Sequence, residues 1–170
     1  MTASERIQRL LDPQFVAALD RHDVDALREL KAEASDIELS VSYYRRLAQA
    51  RMEILAAERS RRERGGDISE LVADLPRILG SGGGRAAPAD SRVPDADTPA
   101  VELKWEDGRE ELVADLTLAN LPTLDEAELA ETVERLGDFE RELSDIRRNL
   151  HTVIDALERE IATRQVAGTA

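Results

Sequence analysis

The chain has 170 residues, 36 acidic against 23 basic, for a formal net charge of −13, and it contains no cysteine. That length allows one domain and little more. The charge excludes the basic footprint of a non-specific DNA or RNA binder, and the lack of cysteine excludes a disulfide framework or a thiolate metal site. Aromatics make up only 3% and charged residues 35%, which suits long helices packed along narrow seams better than a deep globular core. The N-terminus carries no apolar signal region and no apolar run reaches membrane-spanning length, so the expectation is a cytoplasmic protein without membrane contact. An acidic chain of this kind stays in solution or docks on a basic partner.

In chain order, residues 1–22 read as a short helical segment. Glu5 to Leu11 is weakly amphipathic, and Asp12-Pro13 is a helix start with Asp as cap and Pro in the first turn, opening a short helix through Leu19. Asp23 caps the first long helix, within residues 23–65. Its apolar residues Leu27, Leu30, Ala34, Ile37, Val41, Tyr44, Ala48 and Leu55 keep a spacing of three and four, with Arg51 as the one interruption. Gly65-Gly66 ends it. Asp67-Ile-Ser-Glu70 is a capping-box pattern that opens a short helix through Leu79, within residues 66–79.

Residues 80–100, rich in Gly, Pro, Ser, Ala and Asp, read as a flexible linker. Residues 101–122 hold short elements, either a hairpin pairing Val101–Trp105 with Glu110–Val113 around the Asp107-Gly108 turn, or a short helix through Leu118. Thr123-Leu-Asp-Glu126 is a second capping box before the second long helix, residues 123–164, whose seam is Leu129, Val133, Leu136, Leu143, Ile146, Leu150, Val153 and Leu157. Residues 165–170 form a tail. The fold class expected is therefore all-α, with two long helices in an antiparallel coiled coil and short helices and a disordered linker between them. Neither long helix can bury its seam alone.

One polar pattern occurs twice. Glu38, Ser42, Arg45, Gln49 and Glu53 recur at a single fixed offset as Glu140, Ser144, Arg147, His151 and Asp155. At 3.6 residues per turn these positions fall within an arc of about 80°, so each copy is one polar stripe along a helix. Each stripe residue follows an apolar one: Ile37, Val41, Tyr44, Ala48 and Met52 in the first copy, and Phe139, Leu143, Ile146, Leu150 and Ile154 in the second. The stripes therefore edge the helix–helix seam. Antiparallel pairing in register on the repeat would set Glu38 across from Asp155 and Glu53 across from Glu140, with Arg45 and Arg147 meeting centrally. Two guanidiniums side by side call for an anion or strong acceptor, and facing carboxylates call for donors. Guanine offers both: O6 and N7 accept from arginine, and N1–H and N2–H2 donate to a carboxylate. A cyclic dinucleotide of two guanines has a two-fold symmetry that matches the duplicated stripe.

These stripes resemble the cyclic di-GMP signature of the RsiG family of anti-sigma factors, E-x3-S-x2-R-x3-Q-x3-D. Copy one departs at its last position, Glu53 in place of Asp, and copy two at its fourth, His151 in place of Gln. The resemblance implies a cyclic di-GMP dimer bound on the helix pair, two nucleotides per chain. It also implies capture of a WhiG-type sporulation sigma factor by the loaded protein, without direct DNA binding or catalysis. The ten stripe residues would form the ligand site. Arg45 and Arg147 would read guanine or bridge phosphates, and the four carboxylates would accept from guanine N–H groups. Ser42, Ser144, Gln49 and His151 would complete the polar shell.

The plainer alternative is an acidic coiled-coil adapter whose stripes are ordinary solvated flanks making modest ion pairs. Arg59, Arg61, Arg62 and Arg64 read as a solvated basic run at a helix C-terminus. Tyr44 reads as core, Tyr43 as packing, and Trp105 as an anchor for the central elements. His22 takes no role. An enzyme is disfavoured: there is no Glu-x2-His pair, no P-loop and no dinucleotide fingerprint, and Gly82-Gly83-Gly84 lies in the expected linker.

Overall fold

The computed structural model describes residues 3–81, 103–105, 108–113 and 120–167. Every regular element among them is helical. In order they are α1 (Ala3–Leu11), α2 (Pro13–Ala17), a 3-10 turn (Leu19–Arg21), α3 (Val24–Arg64), α4 (Ile68–Ser81), 3-10 turns at Arg109–Val113 and Leu121–Thr123, and α5 (Glu126–Ala167). The fold is all-α and dominated by two long helices, as the spacing of apolar residues predicts. The hairpin alternative does not form: Leu103–Trp105 has no regular structure and Arg109–Val113 is a 3-10 turn, while Val101, Glu102 and residues 114–119 lie outside the described residues. Of the expected linker, Gly80 and Ser81 belong to α4, and the remainder lies outside the described residues.

Local chemistry accounts for the helix ends. Asp12 accepts from the Gln14 amide with Pro13 in the first turn. Asp23 accepts from the Ala26 amide at 2.8 Å and starts α3. At the far end of α3 the Gly66 amide bonds Arg61 O and the Gly65 amide bonds Arg62 O, with Gly65 at φ +70°; this is a Schellman ending, which a residue without Cβ adopts at low cost. Asp67 accepts from the Ser69 amide at 2.9 Å ahead of α4. The second long helix starts later than its sequence predicts. Asp125 and Glu128 form the reciprocal box, each accepting from the other's amide at 2.8 Å, while the Thr123 hydroxyl turns back to Asn120 O. Thr123 lies in the preceding 3-10 turn, with Pro122, so its side chain has no helix amide to cap.

The chain forms two compact units, and both long helices pass from one to the other: Met1–Tyr43, Thr98–Asp107 and Leu143–Ala170 make the first, Tyr44–Asp97 and Gly108–Glu142 the second. In the first unit α3 and α5 run antiparallel, with Lys31 against Glu158, Glu38 against Arg147, and Arg164 reaching Asp20 O. Leu27, Ala34, Ile37 and Val41 are buried with Leu143, Leu150, Val153 and Leu157, together with Ile7, Leu10, Leu19, Leu103 and Trp105. Glu33 ties α1 to α3 by accepting from Arg6 at 2.8 Å and from Arg9. Ser40, buried on α3, donates back to Asp36 O and so leaves no unmade bond.

In the second unit the helices are again antiparallel, with Arg45 against Glu140 and Arg59 against Glu126. Ala48, Ile54 and Leu55 are buried with Leu129, Leu136 and Phe139. The basic run departs from its sequence reading here. Glu58 is fully buried and accepts from Arg61 Nε and Nη2, both at 2.7 Å, and from Arg62 Nε at 2.6 Å. Arg62 also donates to Leu124 O and Leu121 O, at 2.8 and 3.0 Å. These hydrogen bonds, led by Arg61, hold the Glu58 carboxyl below its ordinary range against the opposing effect of burial. Arg61 and Arg62 are thus clamps, not solvated termini.

The repetition seen in the stripes runs through the whole of each long helix. The fully or nearly buried positions Leu27, Ala34, Ile37, Val41, Ala48, Arg51 and Leu55 recur at the offset that separates Glu38 from Glu140, as Leu129, Leu136, Phe139, Leu143, Leu150, Val153 and Leu157. The caps Asp23 and Asp125 obey the same offset, as do the pairs Glu58–Arg62 and Glu160–Arg164, whose arginines each bond a carbonyl in the turn before the other long helix. The spacing is a coiled-coil seam with a heptad period.

Candidate functional site

The stripe residues divide between the two units, and in each a carboxylate from one copy holds the arginine of the other. In the first unit Glu38 Oε1 accepts from Ser42 Oγ at 2.7 Å and from Arg147 Nε at 2.9 Å, and lies 3.3 Å from His151 Nε2. Arg147 Nε is also 2.9 Å from Ser42 Oγ, which closes the cluster. In the second unit Glu140 Oε1 accepts from Arg45 Nη1 at 3.2 Å and from Gln49 Nε2 at 2.8 Å. The two sets are the same contacts with the helices exchanged: the first carboxylate of each copy meets the third and fourth residues of the other. His151 Nε2 thereby stands where Gln49 places its amide nitrogen.

The register differs from the one expected on the sequence. Glu38 faces Arg147 and His151, not Asp155, and Glu140 faces Arg45 and Gln49, not Glu53. The helices are slid by one to two turns, and the physical reason is charge. Antiparallel pairing in register on the repeat opposes carboxylate to carboxylate and guanidinium to guanidinium, whereas the observed register gives each guanidinium a carboxylate.

At least seven of the ten predicted residues are thus brought into contact. Ser144 is partly buried on α5, three residues before Arg147. Glu53 is partly buried and Asp155 exposed, and among the described residues neither carboxylate has a hydrogen-bond or ion-pair partner. Tyr43 and Tyr44 are both partly buried beside the stripe. A feature the sequence does not announce is Arg45 Nε, the buried side-chain nitrogen left without a hydrogen bond among the described residues. Residue types alone cannot reveal it, because it depends on the register.

In each unit two stripe carboxylates stand against one guanidinium, Glu38 and Asp155 with Arg147 in the first and Glu53 and Glu140 with Arg45 in the second. Such a site disfavours a bare anion. It suits a ligand that brings N–H donors for the carboxylates as well as acceptors for the arginines. A separate cleft of about 150 Å³ between α3 and α4 is lined by Ser60, Arg64, Glu70, Asp74 and Arg77 among others and includes no stripe residue. Among the described residues no group of three or more His, Asp or Glu is placed to hold a metal ion, and no helix is long and apolar enough to cross a membrane.

No curated protein matches the chain. A family model described as RsiG-like matches residues 13–79 and 115–170, a span that takes in α3, α5 and all ten stripe residues. The chain belongs to the RsiG-like family, whose general role is that of an anti-sigma factor.

Proposed function

We propose that this chain is a cyclic di-GMP-dependent anti-sigma factor: it binds two cyclic di-GMP molecules on its stripes and, so loaded, holds a WhiG-type sporulation sigma factor away from RNA polymerase. One observation carries the ligand reading. The cross-copy network of carboxylate, arginine and amide or imidazole occurs once in each unit, with the helices exchanged. Two other ion pairs between the long helices do not repeat. Lys31–Glu158 would map onto Val133 and Ala56, and Arg59–Glu126 onto Ile161 and Val24. Ion pairs that merely support a coiled coil have no need to recur, and these two do not. A polar network that recurs while these two ion pairs change suits a ligand that presents the same face twice.

Each part has a task. Guanine O6 and N7 or the phosphates take Arg45 and Arg147 from their present carboxylates. Released, Glu38 and Glu140 accept from guanine N1–H and N2–H2, as do Glu53 and Asp155, which have no partner among the described residues. Ser42, Ser144, Gln49 and His151 bond the remaining polar edges. Family membership supports a regulator in place of an enzyme, with a sigma factor as its partner.

The test is size-exclusion chromatography of the chain mixed with a WhiG-type sigma factor. Co-elution with cyclic di-GMP, and separate peaks without nucleotide or with cyclic di-AMP, is the expected result. Co-elution that ignores nucleotide would remove the ligand from the account and leave an adapter that binds sigma directly.

A further inference from the structure

We infer that the two half-sites are inequivalent and load in order: the half-site built on Arg45 takes the first nucleotide, and the one built on Arg147 takes the second at higher concentration. This rests on the cyclic di-GMP reading above and concerns how the same site is regulated.

The unliganded half-sites are closed by the protein's own carboxylates, so a ligand must draw each arginine out of a latch. The latches differ. Arg147 spends its Nε on two acceptors, Glu38 Oε1 and Ser42 Oγ, each at 2.9 Å. The same Glu38 oxygen also accepts from Ser42 and lies against His151. Opening this half-site breaks bonds that Arg147 Nε already makes. Arg45 is held through Nη1 at 3.2 Å by Glu140, whose Oε1 also accepts from Gln49 at 2.8 Å, but Arg45 Nε is buried with no hydrogen bond among the described residues. A buried donor with its bond unmade bears the full cost of leaving water and recovers none of it. A ligand acceptor that re-aims Arg45 therefore relieves a penalty, whereas one that re-aims Arg147 forfeits bonds already made.

The difference between a hydrogen bond made and one left unmade in a buried site separates the two steps by about tenfold or more in Kd. Between the two concentrations a chain holds one nucleotide, so complete loading is set by the weaker half-site and has a threshold.

The experiment is isothermal titration of the whole chain with cyclic di-GMP, repeated on Arg45→Ala and Arg147→Ala, with helicity of each variant checked by circular dichroism. The inference expects two resolved steps in the wild type, loss of the tight step in Arg45→Ala and loss of the weak step in Arg147→Ala. A single class of two equal sites, or loss of the tight step in Arg147→Ala, overturns it while leaving the nucleotide reading intact. No heat from the wild type, alone or with a WhiG-type sigma factor, overturns both. Should a variant lose helicity, Arg45→Lys and Arg147→Lys take its place, since each keeps the charge and removes the planar donor pair.

Discussion

Replacing Glu58 by Gln tests how α3 is anchored at its C-terminal end. The carboxylate is fully buried and accepts three charge-assisted hydrogen bonds, two from Arg61 and one from Arg62. Glutamine keeps the volume but only one accepting oxygen, and its amide turns donors toward a guanidinium that is itself all donor. Breaking a buried ion pair costs roughly 3–5 kcal/mol. The side chains of Arg61 and Arg62 remain 17% and 22% exposed and can take up water when released, which places this case at the lower end, about 3 kcal/mol. Urea unfolding followed by circular dichroism reads that loss directly. The repeat supplies a control within the same chain. Glu160 pairs with Arg164 at 2.8 Å but both side chains are 29% exposed, so Glu160→Gln is expected to cost about 0.5 kcal/mol. A cost below about 1 kcal/mol for Glu58→Gln, or equal costs for the two, would refute the reading of Glu58 as a buried clamp.

Acid unfolding follows from the same geometry. Glu58 is held low by its arginine bonds, and Glu33 is held low as well, burial pushing it up but the bonds from Arg6 and Arg9 outweighing burial. A carboxyl whose pKa is depressed on folding contributes stability that is present above its unfolded value, near 4.3, and lost as pH falls through the folded value. Stability measured against pH should therefore drop on the acid side of about pH 4, and Glu58→Gln should flatten that limb. Gly137 lies inside α5, where a Cβ would meet only Met52 Cε at an ordinary 3.9 Å, so Gly137→Ala is expected to raise stability by about 0.5–1 kcal/mol in the same urea assay. His151→Gln restores the amide that Gln49 presents in the other half-site, and titration calorimetry should find its nucleotide affinity within about threefold of wild type, since a donor of the same reach is retained.

Much of this structure was legible in the chain because its signals are local. The caps at Asp12, Asp23 and Asp67 and the ending at Gly65 each depend on two or three neighbouring residues. The seams follow from apolar spacing, although Phe139 is core and Leu30, Val133 and Ile146 are only partly buried. The stripes were visible as a repeat, and at least seven of their ten residues do meet. What was not legible is what depends on sliding one helix along the other. A seam that repeats every seven residues looks equally apolar at several registers. The choice among them is made by which charges oppose, and centring the two stripes on each other picks the repulsive alignment. Arg51 reads as an interruption of the seam, and only the packed chain shows it buried, with Nη2 at 3.4 Å from Val113 O. Arg61 and Arg62 look like solvated arginines because Glu58, three and four residues earlier, resembles any other surface glutamate until its burial is seen.

The central claim is that the duplicated stripe is a guanine-reading site. Titrating the purified chain with cyclic di-GMP, with cyclic di-AMP as the control, tests it most directly. The account predicts saturable heat approaching two nucleotides per chain, no response to the adenine analogue, and loss of binding with unchanged helicity when Arg45 and Arg147 are both replaced by Ala. Absence of heat with cyclic di-GMP, both for the chain alone and with a WhiG-type sigma factor present, would contradict it and return the stripes to solvated flanks of an acidic coiled coil.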